Sequence, residues 1–208
     1  MKIYDCRNGT LSDNDADEIA KIVEHGDLIV YPSETVYGIG ANIFDEAAIK
    51  KLFMVKHRPF DMPLSVGVAD KKMASSIAEI DENAEKLIDK FMPGPLTIIV
   101  KKKDNVPHMV TSNSHKVGIR IPDHPVAMKI IKRTGPIVAT SANLHSKPDA
   151  VRMEEAKEDL GDSVSVYIDS GPCTLGKPST IVWLMDGETE IIRQGAITKK
   201  QIEDALRC

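Results

Sequence analysis

The feature that most constrains the fold of this chain is a repeated change between two hydrophobic periods. Short runs rich in β-branched residues, bounded by Gly, Pro, Asp or Ser, alternate with stretches whose apolar residues recur at helical spacing. Residues 14–25 show the helical pattern, with Ser12 as the N-cap and Gly26 at the end. This alternation predicts an α/β or α+β fold built around a β-sheet.

The same two patterns assign elements along the whole chain. Helices are predicted over residues 14–25, 45–57, 83–91, 125–133 and 153–160, and a final helix begins at the capping-box pattern of Thr198 and Gln201. Strands are predicted over residues 27–31, 64–68, 96–100, 117–121, 137–140, 164–168, 180–184 and 190–193. The turn Asp186-Gly187 joins the last two strands as a hairpin, so we expect one twisted, mixed sheet flanked by helices. With no internal repeat and no linker, residues 1–208 are predicted to form one domain.

Composition excludes several classes of protein. The chain has 42% hydrophobic and 28% charged residues, which is ordinary for a globular domain. A net charge of −4 and 4% aromatic residues do not favour a dedicated nucleic-acid binder. The three cysteines form no C-x-x-C pair, and the sequence contains no signal peptide and no apolar run of membrane-spanning length. We therefore expect a protein of the cytoplasm, with no membrane partner.

Familiar catalytic motifs fail in this sequence. The segment from Gly171 to Ser179 approaches a phosphate-binding loop, but Pro178 stands where the magnesium-binding Ser or Thr is required, and a strand pattern follows instead of a helix. Gly38 and Gly40 lack the third glycine of a dinucleotide fingerprint. There is no H-E-x-x-H and no G-x-S-x-G. Metalloprotease and esterase chemistry therefore have no support.

Hydroxyl and cationic residues instead gather where predicted strands end. They occur in the segments YPSETVYG, KHRP, ATSAN and PST, together with Lys116, Arg120 and Arg193. Because the carboxyl ends of strands border the ligand crevice in open α/β sheets, this pattern indicates a site for an anionic small molecule. Each group also has a plain structural interpretation: Ser33 and Thr35 as turn caps, and Lys56 and Arg58 as favourable charges at a helix C-terminus.

Taken in order, these segments closely resemble the YrdC-like family. The resemblance covers nearly the whole chain, through YPSETVYGIGAN, KHRPFDMPLSV, MPGPLTIIV, VGIRIPDHPVA, GPIVATSAN, GKPSTIV and IIRQGAI. It implies a mixed α/β fold with a positively charged cavity. Longer members of the family carry a further C-terminal domain, for which we expect no room in this chain.

The resemblance also implies an activity. Members of the family include synthases that convert L-threonine, bicarbonate and ATP into threonylcarbamoyl-AMP and pyrophosphate, the first step of threonylcarbamoyladenosine formation in tRNA. It further implies magnesium carried by the ATP phosphates with no protein ligand, and a downstream tRNA threonylcarbamoyl-transfer complex as a partner. The alternative is an RNA-binding module of the same fold without synthase activity. Such a module would grip a phosphate backbone with the basic rim of the cavity.

By resemblance, three sets of site residues follow. The catalytic residues are expected to be Lys56, Arg58 and Arg120. The threonine-binding residues are expected to be Ser33, Thr35, Tyr37, Arg120, Thr140, Ser141 and Ser179, and the nucleotide-binding residues Lys56, Arg58, Lys116, Asn143 and Arg193. Among the departures from the family pattern, Met62 stands where an Asn is common, and Gly67 where a His is frequent. Both departures bear on the detailed substrate contacts.

Overall fold

Strands and helices alternate along the part of the chain that the structure describes, residues 1–185 and 187–207 of a computed structural model. The strands are β1 (Lys2–Asp5), β2 (Ile29–Tyr31), β3 (Gly38–Gly40), β4 (Ser65–Gly67), β5 (Leu96–Lys101), β6 (Lys116–Arg120), β7 (Ile137–Val138), β8 (Thr140–Ser141), β9 (Val166–Asp169), β10 (Thr180–Met185) and β11 (Glu188–Arg193). The helices are α1 (Asp13–Glu24), α2 (Glu46–Val55), α3 (Lys71–Ile77), α4 (Glu82–Phe91), α5 (Pro125–Thr134), α6 (Met153–Leu160) and α7 (Lys199–Arg207).

The strands form two mixed sheets, so the prediction of one sheet is wrong. The first has the order β1-β9-β2-β3-β8, with β1, β9 and β2 parallel and the remaining pairs antiparallel. The second has the order β11-β10-β5-β6-β4-β7 and also combines parallel with antiparallel pairs. The mixed α/β class is confirmed. The predicted hairpin is confirmed by the antiparallel pairing of β10 with β11, while Asp186 of its turn lies outside the described residues.

The predicted strand over residues 137–140 is divided between the two sheets. Ile137 and Val138 form β7 and pair with β4 in the second sheet, whereas Thr140 and Ser141 form β8 and pair with β3 in the first. The chain therefore passes from one sheet to the other at Ala139. This crossing brings the sheets together at the point where the polar strand ends meet.

Local sequence signals explain where the helices begin. The side chain of Ser12 accepts a hydrogen bond from the backbone N–H of Asp15 and caps α1 as predicted. At α7, the backbone N–H of Thr198 donates to Oε1 of Gln201 over 2.9 Å, and the N–H of Gln201 donates back to the Thr198 hydroxyl over 3.3 Å. The capping box is thus confirmed. Patterns alone missed β1, β3 and α3.

Both faces of the first sheet are covered, which explains the buried character of its strands. Along β2, Val30 belongs to the larger apolar cluster, whereas Ile29 and Tyr31 belong to the cluster formed with α1 and α5. Gly38 on β3 permits this packing, because a Cβ atom there would lie 2.9 Å from the ring of Tyr31. Among the described residues, no helix has both the length and the apolar character needed to cross a bilayer.

Candidate functional site

A cavity of about 200 Å³ opens where the two sheets meet. Its walls come from the ends of strands in both sheets and from the loops that follow them. The lining residues expected from the sequence are Ser33, Tyr37, Arg58, Arg120, Thr140, Ser141, Ser179 and Arg193. Three arginines and one carboxylate, that of Asp149, carry the charges among the described lining residues.

At one end of the cavity, the segment after β2 folds around the hydroxyl of Ser33. This hydroxyl donates to the backbone carbonyl of Val36 over 2.6 Å and accepts from the backbone N–H groups of Thr35 and Val36. It also lies 2.9 Å from the Thr35 hydroxyl. Ser33 is therefore a turn-forming residue and a lining residue at the same time, so both interpretations of its position hold.

Arg120, at the end of β6, is anchored by the same segment. Its Nη2 donates to the Thr35 hydroxyl over 2.7 Å and forms an ion pair with Oε1 of Glu34 over 2.8 Å. The side chains of Arg120 and Glu34 are 11% and 9% exposed, so little solvent screens the pair. The second oxygen of Glu34 accepts the backbone N–H of Asp123. One hydrogen bond and one ion pair on the same nitrogen hold the guanidinium in place before any ligand arrives.

At the other end, the cations are held by carbonyl oxygens. Arg58 donates through Nε to the carbonyl of Met62 over 3.2 Å and through Nη2 to that of Pro63 over 2.9 Å. Arg193 donates through Nε and Nη2 to the carbonyl of Ser179. Within residues 1–185 and 187–207, neither guanidinium forms an ion pair with a carboxylate. Burial lowers the pKa of both arginines below the ordinary value, and at Arg193 the effect of burial outweighs the opposing charge of Asp149.

Lys56 lies behind this end rather than in the cavity wall. The residue is 2% exposed, and its ammonium donates to the carbonyl of Ser141 and, over 2.6 Å, to the carbonyl of Asn143. Burial, followed by the charge of Arg58, lowers the pKa of Lys56 to about 8. The Asn143 amide donates to the carbonyl of Lys147 over 2.7 Å. Lys56 and Asn143 thus fix the backbone that presents Ser141.

The segment that resembles a phosphate-binding loop closes the remaining side. The Tyr37 hydroxyl donates to the carbonyl of Gly171 over 2.7 Å and accepts the N–H of Ser170 over 3.0 Å, which ties β3 to the start of the segment. At its end, the hydroxyl of Ser179 lies 2.8 Å from that of Thr97. The strand β10 follows at once, as the failed motif predicted.

The structure thus sorts the predicted residues into lining, supporting and separate positions. Thr35 and Lys56 support lining residues through hydrogen bonds to Arg120 and Ser141, and Asn143 in turn accepts a hydrogen bond from Lys56. Lys116 is separate, because its ammonium lies over the ring of Trp183, 3.4 Å from the centroid. Neither Glu34 nor Asp149 was predicted as a site residue from the sequence. Glu34 lies in the segment YPSETVYG between the predicted site residues Ser33 and Thr35, and this position could have indicated its role.

The departures from the family pattern at Met62 and Gly67 lie close to the cavity. Met62 is 36% exposed, and it supports Arg58 through its carbonyl rather than its side chain. Gly67 pairs with Arg120 in the β4–β6 ladder, and a Cβ atom there would lie 3.3 Å from that of Ala139. A larger residue at position 67 would require the crossing strand to move.

Comparison with known proteins identifies relatives along most of the chain. The family model Sua5_yciO_yrdC, described as telomere recombination, matches residues 21–195. Threonylcarbamoyl-AMP synthase of Bacillus subtilis is 38% identical over 94% of this chain and 58% of its own length. Threonylcarbamoyl-AMP synthase of Pyrococcus abyssi is 36% identical over 90% of this chain and 56% of its own length. The chain spans a little more than half the length of these two relatives.

Solved structures of the same family have a similar backbone. The crystal structure of P. abyssi Sua5 complexed with L-threonine superposes with a TM-score of 0.94 at 35% identity, over 98% of this chain and 60% of that one. The crystal structure of E. coli YciO superposes with a TM-score of 0.87 at 25% identity, over 96% of this chain and 98% of that one. The similarity in sequence and in backbone shows that the chain belongs to the Sua5/YciO/YrdC family.

Proposed function

We propose that the chain is a threonylcarbamoyl-AMP synthase acting on L-threonine, bicarbonate and ATP. The observation that carries the proposal is the fixed guanidinium of Arg120, which faces the same small cavity as Arg58 and Arg193. A planar guanidinium suits a carboxylate, and unpaired cations suit a polyphosphate. The names of the B. subtilis and P. abyssi relatives and the threonine complex of P. abyssi Sua5 support the same reaction.

The reaction needs positioning and charge stabilisation but no enzyme nucleophile. The threonine amine, once it has lost a proton, attacks bicarbonate to give a carbamate and water. A carbamate oxygen then attacks the α-phosphorus of ATP, and the bond to the β-phosphate oxygen breaks to release pyrophosphate. In this scheme Arg120 binds the threonine carboxylate, and Arg58 and Arg193 stabilise negative charge on the phosphates.

Magnesium belongs to the proposal as a companion of ATP. Among the described residues there is no group of three or more His, Cys, Asp or Glu side chains placed to hold a metal ion. The lining carboxylate of Asp149 fits the usual mode of Mg²⁺ binding, which combines one or two carboxylates with substrate phosphates and water. The ion would neutralise phosphate charge, and Asp149 would add one oxygen ligand to those of ATP.

The proposal also extends to the surroundings of the enzyme. The mixed anhydride product is consumed by a tRNA threonylcarbamoyl-transfer complex, and the protein works in the cytoplasm. Two cysteines among the described residues, Cys6 and Cys173, are free thiols, which is compatible with a reducing compartment.

Pyrophosphate release tests the proposal directly. With ATP, L-threonine, bicarbonate and magnesium, we expect release that requires each component, together with a product of the mass of threonylcarbamoyl-AMP. Arg120→Ala should strongly reduce this release, whereas Arg7→Ala, which changes an exposed arginine paired with Asp5, should not. A folded protein without threonine-dependent release contradicts the proposal. Salt-sensitive RNA binding without turnover would favour the RNA-binding alternative. Pyrophosphate release that depends on serine instead of threonine would mean that serine is the amino-acid substrate.

A further inference from the structure

The cavity is too small to enclose both proposed reactants. Its volume of about 200 Å³ falls below the 300–1,000 Å³ range of sites that enclose drug-sized ligands. A nucleoside triphosphate that reaches Arg58 and Arg193 must therefore extend beyond the cavity. Its base has to lie on a neighbouring surface of the protein.

The floor of the cavity continues in one direction along the second sheet. Ile181 of β10 lines the cavity, and Trp183, two residues further along, lies on the same face of the strand. Arg120 of β6 also lines it, and Lys116 shares its face four residues earlier, at a distance of roughly 13 Å along the strand. Ile99 of β5 stands between them, paired with Trp183 on one side and with Gly118 on the other.

This extension has the chemistry of a base-binding surface. Trp183 and Ile99 are partly exposed and apolar, and the Lys116 ammonium covers the indole at 3.4 Å. In the part of the chain that the structure describes, Lys116 forms no ion pair with a carboxylate. A base stacked on an aromatic ring is held more strongly than an ammonium at a partly exposed site. A purine can therefore displace the ammonium, which then becomes available for a phosphate.

We infer that Trp183 is the stacking surface for the purine ring of the nucleotide, and that Lys116 moves from the indole to the polyphosphate when the nucleotide binds. This inference rests on the proposed function for the presence of ATP. It also gives Lys116 a nucleotide contact from outside the cavity. The base would occupy this subsite in the complex with nucleotide alone, without threonine.

The experiment uses the fact that Trp183 is the single tryptophan of the chain, so intrinsic fluorescence reports on this residue alone. Titration with a non-hydrolysable ATP analogue should quench the emission by about half or more. Calorimetry should show that Trp183→Leu raises the Kd of the analogue about tenfold, and that Trp183→Phe, which keeps a ring, raises it less than threefold. Phe44→Leu changes an exposed aromatic residue that lies off this floor and should leave the Kd unchanged.

The outcomes separate the subsite from the activity. Analogue binding without a change in emission, or with the same Kd in Trp183→Leu, overturns the subsite even if turnover is normal. Quenching and the tenfold effect without threonine-dependent pyrophosphate release support the subsite and contradict the synthase. If the wild-type protein binds no analogue, both are wrong.

Discussion

The two ends of the cavity hold their cations in different ways. At the end formed by Ser33, Thr35 and Arg120, the guanidinium is paired with the buried carboxylate of Glu34. At the end formed by Arg58 and Arg193, backbone carbonyl oxygens accept the hydrogen bonds. At the first end, the guanidinium is held in place and its positive charge is balanced by a carboxylate. At the second end, the two guanidinium groups are held in place by neutral carbonyl groups and keep their positive charge.

This difference matches the proposed ligands. A carboxylate carries one charge in a fixed plane, so the orientation of Arg120 matters more than the total charge around it. A triphosphate carries several charges, and cations without carboxylate partners attract it most strongly. The two ends thus predict different consequences when a cation is removed.

The largest effect is expected for Arg120→Ala. The substitution removes the partner of a buried carboxylate, so the free energy of unfolding should fall by about 3–5 kcal/mol. Loss of the proposed carboxylate contact should lower kcat/KM for threonine by roughly 1,000-fold, because an unpaired buried carboxylate also remains beside the ligand. Urea unfolding and pyrophosphate release measure the two effects.

The double variant Arg120→Ala with Glu34→Gln is the control for this prediction. Removing the unpaired charge should restore part of the lost stability while activity stays low, because the guanidinium is still absent. If Arg120→Ala alone is as stable as the wild type, the ion pair does not distinguish this end of the cavity.

Patterns of short range predicted most elements of the fold but not their assembly. α6 covers the predicted residues 153–160, and α4 begins one residue before the predicted position. The error of one sheet instead of two arose at Ala139, because strand membership depends on partners distant in sequence. β3 was missed because its two glycines give no strand signal, although they are required for packing against Tyr31.

The site was predictable to a similar extent. Most of the predicted hydroxyl and cationic residues at strand ends line one cavity. The role of Glu34 was not visible, because its partner Arg120 is 86 positions away and no local pattern links them. The burial of Lys56 was not visible either, since its position after a helix is typical of an exposed residue. Which substrate each residue contacts stays a prediction.

A second, smaller effect is expected from Lys56, whose ammonium lies behind the end of the cavity formed by Arg58 and Arg193. Lys56 has a pKa of about 8 in the folded chain, against an ordinary value of 10.5. The folded state therefore binds fewer protons than the unfolded state between these values, and the free energy of unfolding should rise as pH increases from 8 to 10.5. The full rise is about 3 kcal/mol for a shift of this size.

Lys56→Met isolates this contribution. We expect the stability difference between wild type and variant to change by that amount across the window, measured by urea unfolding at several pH values. The same difference at every pH would mean that neighbouring groups compensate the charge of the Lys56 ammonium in the folded chain, as Glu34 does for Arg120, and the contrast between the two ends would be lost.

The smallest effect is expected for Arg193→Met. Arg193 forms no ion pair with a carboxylate among the described residues, so its removal leaves no unpaired buried charge, and the free energy of unfolding should fall by only about 1 kcal/mol, because the Ser179 carbonyl loses its donors. The KM for ATP should rise about tenfold, because one charge-assisted contact to phosphate is lost, while the KM for threonine stays within about twofold. Initial rates of pyrophosphate release, with each substrate varied in turn, measure both constants. An equal rise in the two would mean that Arg193 serves both ends of the cavity, since only a nucleotide contact leaves the threonine constant in place.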